Sequence, residues 1–259
     1  MGLFDFFRKS NPPPKGAPQK GATAAPVDKK VAGPAKVVAD KRAQTYDRAE
    51  ALQILADMKT PDAAAALLKR FTFSIDPSIT DQEEKDIAFQ GIVAAGPDVV
   101  PAVVEFCKKA EGLTWPLKIL RELCDDEQYT TELLDLLSSY DTEYARNVDP
   151  KIQIIVALEE MVSSDVREIV ATYLEDVNET VRFHAVQTTF AQNDAEAVPD
   201  LVKLLAAEES VRIKNKVAEG LVFRGWVIPA DLRETVAQAL RDTAGFSIGA
   251  DGKVSKTGR

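Results

Sequence analysis

The sequence predicts an all-α fold, an α-solenoid of about six antiparallel helix pairs, and three observations carry that expectation. The clearest unit runs from Asn178 to Ala206 as a helix, a short polar turn and a second helix. On the second helix Val198, Leu201, Val202 and Leu205 stand at the i, i+3, i+4, i+7 spacing of one buried face. The same stripe recurs as Ala64, Leu67, Leu68, Phe71, as Val100, Val103, Val104, Cys107, and as Leu133, Leu136, Leu137, Tyr140. Val166, Ile169, Val170, Tyr173 repeat it again, and Leu232, Thr235, Val236, Ala239 form a weaker sixth copy. Successive stripes start 36, 33, 33, 32 and 34 residues apart. A steady period in the thirties with two helices per unit marks stacked helical repeats. Composition agrees: of 259 residues 45% are hydrophobic, and the middle is rich in Ala, Leu, Val and Glu but poor in Gly and Pro.

Taken in order, the chain opens on a short apolar and basic segment, Leu3, Phe4, Phe6 and Phe7 followed by Arg8 and Lys9. Too short for a stable helix of its own, residues 1–9 suit docking into a partner groove or peripheral contact with a membrane surface. Gly2 alone is not a myristoylation signal, because Phe6 stands where Ser or Thr is required. The order of charges and the lack of a cleavage site speak against a signal peptide. Residues 10–44 read as a disordered Pro/Ala/Lys-rich linker, with Pro12, Pro13, Pro14, Pro18, Pro26 and Pro34 interspersed with Gly and Lys. As a coil it would span on the order of 30 Å and leave the first residues tethered.

Repeats are expected over 45–244. Tyr46–Met58 forms the first helix, and Thr60-Pro61 supplies an N-cap and first-turn proline for the second. Thr80 with Glu83 resembles a capping box, Gly96-Pro97-Asp98 a sharp turn, and Asp149-Pro150 another helix start after the long Tyr140–Val148 insertion. Ser164-Asp165 and Asn193-Asp194 mark later turns, and Gly225 is a left-handed C-cap candidate. The last helix, with Arg233, Glu234, Gln238 and Arg241 outward, reads as a polar terminal cap. Residues 245–259 are expected to be a flexible tail, since a lone hairpin there would be marginal.

Charge divides the chain. Nine of the 32 Lys/Arg and three of the 41 Asp/Glu lie in residues 1–44, a net of +6 that leaves −15 on the body. An acidic body repels phosphates, so no nucleic acid partner is expected. No apolar run approaches the length of a membrane span. Cys107 and Cys124 fall in separate helices and read as free thiols of a reducing cytoplasm. The lone histidine, His184, the two scattered cysteines and the lack of phosphate-loop, hydrolase or zinc-protease motifs point to no catalytic residue, no metal and no cofactor. Acidic pairs such as Glu83-Glu84 and Glu208-Glu209 read as exposed helix starts. Trp115 and Trp226 read as packing across repeat ends.

Asn178, Val181, Arg182 and Ala185, with Glu209, Val211 and Arg212, resemble the polar–x–x–Val–Arg opening of HEAT repeats of the short bacterial kind. Asp149-Pro150-Lys151-Ile152 is similar, with Lys for Arg. The resemblance covers roughly residues 45–240 and implies a right-handed solenoid with its second helices on the concave side. Along those helices Glu105, Lys108, Glu132, Asp135, Glu168, Glu175, Asp200 and Lys203 lie off the apolar stripe. Mostly acidic, they are candidates to bind another protein or a basic peptide segment. The expected function is a non-catalytic protein-binding scaffold in the cytoplasm, carrying the docking segment on its arm. A peripheral adaptor at the inner membrane face is the alternative. The resemblance also admits bilin lyases and DNA glycosylases, although an acidic body is ill suited to the latter.

Overall fold

The computed structural model describes residues 29–243 and 245–257. The segment expected to dock, residues 1–9, and residues 10–28 lie outside them. Thirteen α-helices follow one another among the described residues: α1 Lys29–Ala39, α2 Thr45–Met58, α3 Pro61–Leu67, α4 Ser78–Ala94, α5 Val100–Cys107, α6 Thr114–Leu123 and α7 Asp126–Leu137. Then come α8 Asp149–Ala157, α9 Ser164–Thr172, α10 Glu179–Ala191, α11 Val198–Ala207, α12 Val211–Arg224 and α13 Arg233–Ala239, before a hairpin of β1 Phe246–Ile248 and β2 Val254–Lys256. No single one of these helices is long and apolar enough to cross a membrane.

Several boundaries follow from local chemistry. The Thr60 hydroxyl accepts from the Ala63 amide at 3.3 Å, with Pro61 opening α3. Asp125, Ser163 and Asn178 cap α7, α9 and α10 in the same way. Gly225 ends α12 at φ 64°, the left-handed conformation that a Cβ disfavours. The capping box expected at Thr80 is absent, because α4 begins at Ser78 and Thr80 lies inside its first turn. The Asp81 carboxylate nearby accepts from Arg70, Lys85 and the Ile75 amide.

The helices pack in two rows. Even-numbered helices α2 to α12 each contact the next even-numbered one, while α1, α3, α5 and α7 form the facing row, which α9, α11 and α13 continue. The core lies between the rows. Val198, Leu201, Val202 and Leu205 are all buried, and the other stripes point inward with them. Fully burying each such side chain is worth about 1.5–3 kcal/mol. Close approach within a row uses small residues: a Cβ on Gly91 of α4 would lie 2.6 Å from the Ala56 Cβ and 2.9 Å from its Cα on α2.

Several hydrogen bonds between non-adjacent elements share nearly one separation. Tyr173 donates its hydroxyl to the carbonyls of Leu137 and Tyr140, 36 and 33 residues back. Thr188 donates to the Ile155 carbonyl 33 residues back, and Gln192 to that of Leu158 34 back. Arg224 reaches the Phe190 carbonyl across the same interval. Aromatic contacts also join distant elements: Trp115 stacks on Phe71 at 5.4 Å and leans on Phe89 at 5.9 Å, and Trp226 stacks on Phe190 at 5.5 Å.

Three further expectations need correction. Part of the stretch expected to be disordered linker is the helix α1, whose Val31, Ala35 and Val38 pack on the core despite Pro34. Burying a face against α2 and α3 outweighs the bond that proline forfeits. The tail expected to be flexible is instead a hairpin, ordered because it is not isolated. Val254 is buried, the Ile228 amide donates to the Gly252 carbonyl at 2.8 Å, and β2 lies on α12. Arg233, expected on an outer face, donates to the carbonyls of Ile228 and Ala250 and so fastens that hairpin. At the start of α12 Val211 is 54% exposed whereas Ile213, two residues on, is fully buried.

Candidate functional site

Where α4, α6 and α8 meet, the even-numbered row opens into a groove of about 570 Å³. Phe89 comes from α4, Leu117, Lys118 and Arg121 from α6, Tyr129 from α7, and Ile152 and Val156 from α8. Their spacing is helical. Leu117, Lys118 and Arg121 share a face of α6, as Ile152, Gln153 and Val156 do on α8. Gln153 closes one end by accepting from the Leu113 amide and donating to the Thr114 hydroxyl at 3.1 Å. The packing is open because α6 touches α8 more lightly than α8 touches α10.

The walls are apolar and the rim is mostly cationic. Val156 is 40% exposed, an aliphatic side chain facing water. Lys118 holds its ammonium 4.9 Å from the Trp115 ring centre, and the Arg121 guanidinium lies 5.2 Å from that of Tyr129. Arg121 also pairs with Asp126, and Glu122 adds one acid to the rim. Burial pushes the Tyr129 phenol up. This site suits an apolar segment bearing a carboxylate rather than a polar substrate.

The acidic candidates lie on the other row. Glu105 is on α5, Glu132 and Asp135 on α7, Glu168 on α9, Glu175 just after α9, and Asp200 with Lys203 on α11. The structure pairs several of them with cations: Glu105 with Lys109 at 2.6 Å and Lys108 at 3.5 Å, Glu168 with Arg167 at 3.2 Å, and Glu175 with Lys203. The Lys109 hydrogen bond holds the Glu105 carboxyl below its ordinary value. A second groove of about 550 Å³ lies between α3 and α5, with Leu68, Phe71 and Phe106 in its walls and Glu105 and Lys109 at its edge.

Groups able to do chemistry are subdued. Burial pushes the Cys107 thiol up to about 12, and it raises Cys124 as well, so neither is a ready thiolate. His184 is half-buried and edge-on to Phe183 at 5.6 Å. Burial first, then the Arg212 charge, lowers its basicity. Among the described residues no group of three or more His, Cys, Asp or Glu is placed to hold a metal ion.

Sequence reasoning missed the α4–α6–α8 groove. The signal available was the run Ile152 to Leu158, apolar at every position but Gln153. A helix that apolar exceeds the stripe needed for one core face.

The chain matches no known protein-family model and no curated protein. Among solved structures it is similar to a chain from a computational design of self-assembling cyclic protein homo-oligomers. That likeness is at 12% identity with a TM-score of 0.14, covering 83% of this chain and 84% of that one. So low a score carries no argument about fold or function.

Proposed function

We propose that this chain is a non-catalytic protein-binding scaffold, a HEAT-like, right-handed α-solenoid of about six helix pairs. Its recognition surface is the groove of α4, α6 and α8. The pairs are α2 with α3 through α12 with α13, and α1 and the hairpin cover the two ends. The repeat-length separation of the Tyr173, Thr188 and Gln192 hydrogen bonds supports the solenoid, since stacked units bond at one repeat length. The observation that carries the binding reading is Val156 at the mouth of an apolar groove with Lys118 and Arg121 on its rim. Exposed apolar concavities of this kind are where helical or extended segments of partners dock.

The test compares affinity capture by the full chain with capture by Val156→Glu. Because Val156 is already 40% exposed, the variant should fold normally by circular dichroism. A discrete protein bound by the native chain should be lost from the variant. Equal capture by both would remove the groove as the recognition surface. It would return attention to Glu132, Asp135 and Asp200 on the opposite row.

A further inference from the structure

We propose that the groove is occupied in the resting protein by the chain's own N-terminal segment, Leu3-Phe4-Asp5-Phe6-Phe7, which a partner must displace. This inference rests on the binding role just assigned to the groove. The segment has the matching chemistry: four large apolar side chains for the walls and one carboxylate, Asp5, for Lys118 or Arg121.

The path between them is also matched. Residues 8–28 join Phe7 to the start of α1, and α1 packs on α2 at the head of the even-numbered row. From α2 the groove is two helix spacings away, roughly 20 Å, whereas that length of chain reaches up to about 70 Å when extended. The surface to be crossed is acidic. Glu50 and Asp57 on α2 and Glu83 and Asp86 on α4 are exposed, and a shallow depression lies between these helices, with Asp57 and Asp86 at its edge and Lys59 as its one cation. Residues 8–28 carry Arg8, Lys9, Lys15 and Lys20 against the single acid Asp28. A cationic tether laid over the acids of α2 and α4 delivers the aromatic segment to the α4–α6–α8 groove. Tethering keeps its effective concentration high, so weak contacts suffice to hold it.

The experiment places a photocrosslinker in the full chain as Phe6→p-benzoylphenylalanine and maps the products by mass spectrometry. Intramolecular links to α6 and α8 around Leu117 and Val156 are expected. Their yield should fall several-fold in 0.5 M salt and in Asp57→Lys/Asp86→Lys, two exposed positions whose exchange leaves the core intact. Links to other helices, links between molecules, or capture by lipid of added anionic vesicles with the groove unlabelled would each overturn the proposal. A full chain carrying Phe4→Ser, Phe6→Ser and Phe7→Ser should bind partner more tightly than the native chain, and unchanged affinity would count against occupancy. The two readings fail separately. If Val156→Glu abolishes partner capture while the crosslinks land elsewhere, only the self-docking is wrong. If Val156→Glu has no effect on capture, the groove is not the partner site at all.

Discussion

The two ends of the helical array bury charge in different ways. On α8 and α10 the ion pairs form a ladder of two rungs. Lys151 of α8 pairs with Asp176 at 2.6 Å and donates to the Asp141 carbonyl. Asp176 in turn accepts from the Asn178 amide at the start of α10. One unit on, Arg182 of α10 grips both oxygens of Glu208 at 2.7 and 2.9 Å, and Glu208 accepts from the Glu209 and Ser210 amides before α12. Each carboxylate thus joins a cation of one unit to the helix start of the next. Between α2 and α4 a single cluster replaces the ladder. Glu84 accepts from Arg48 at 2.7 and 2.9 Å and from Arg70 at 2.6 Å, while Arg70 also reaches Asp81, which holds Lys85. Arg48, Arg70 and Glu84 are essentially inaccessible to water. Repeated rungs tie successive units at equal intervals, whereas one dense knot makes the first two units a block. The groove opens beyond that block, before the ladder begins.

Breaking the knot should produce the largest effect. Glu84→Ala strips Arg48 of the only carboxylate it pairs with among the described residues and leaves Arg70 with Asp81 as its remaining acid there. Unpaired buried charge of this kind costs about 3–5 kcal/mol, readable by urea denaturation at pH 7. A loss below about 1 kcal/mol would mean that the two guanidinium groups find water, and the block would then be no stiffer than the ladder.

A rung of the ladder should cost less and should depend on pH. Glu208→Gln keeps the shape and removes the charge, at about 1–3 kcal/mol. Burial raises the Glu208 carboxyl, but the bonds from Arg182 and the Ser210 amide outweigh it and hold the group below the ordinary 4.5. A depressed carboxyl contributes its full stability above 4.5 and loses it as the pH falls through the folded value. The gap between native chain and variant should therefore be constant from pH 7 down to about 4.5 and narrow below it. A gap that stayed constant well below pH 4.5 would mean that the Glu208 charge does not carry it.

The smallest effect belongs to the exposed pair of Glu175 and Lys203, which bridges α11 to the turn after α9 with both side chains more than half in water. Lys203→Ala should leave Tm unchanged, because such pairs trade one hydrated state for another. A clear drop would make this row depend on surface charge as well as on its apolar stripe.

Much of this architecture was legible in the sequence because it depends on local periodicity. The stripes from Ala64 to Ala239, the caps at Thr60 and Gly225 and the Trp115 and Trp226 packing all follow from spacing and from backbone preferences of single residues. Whether a marginal segment orders, and which member of a polar pair goes inside, depends on partners distant in sequence. The helix at Lys29–Ala39 exists because α2 and α3 cover Val31 and Val38, and the hairpin at Phe246–Lys256 because α12 and α13 cover it. Glu83-Glu84 and Glu208-Glu209 both read as exposed, yet Glu84 and Glu208 are buried, since cations 36 and 26 residues away turn to meet them. The groove is of the same kind: Phe89, Leu117 and Val156 are ordinary helix residues until α4, α6 and α8 leave space between them. Periodicity along one chain selects the helices and their inward faces, and only the three-dimensional approach of distant helices decides which apolar surface stays open and which charges are enclosed.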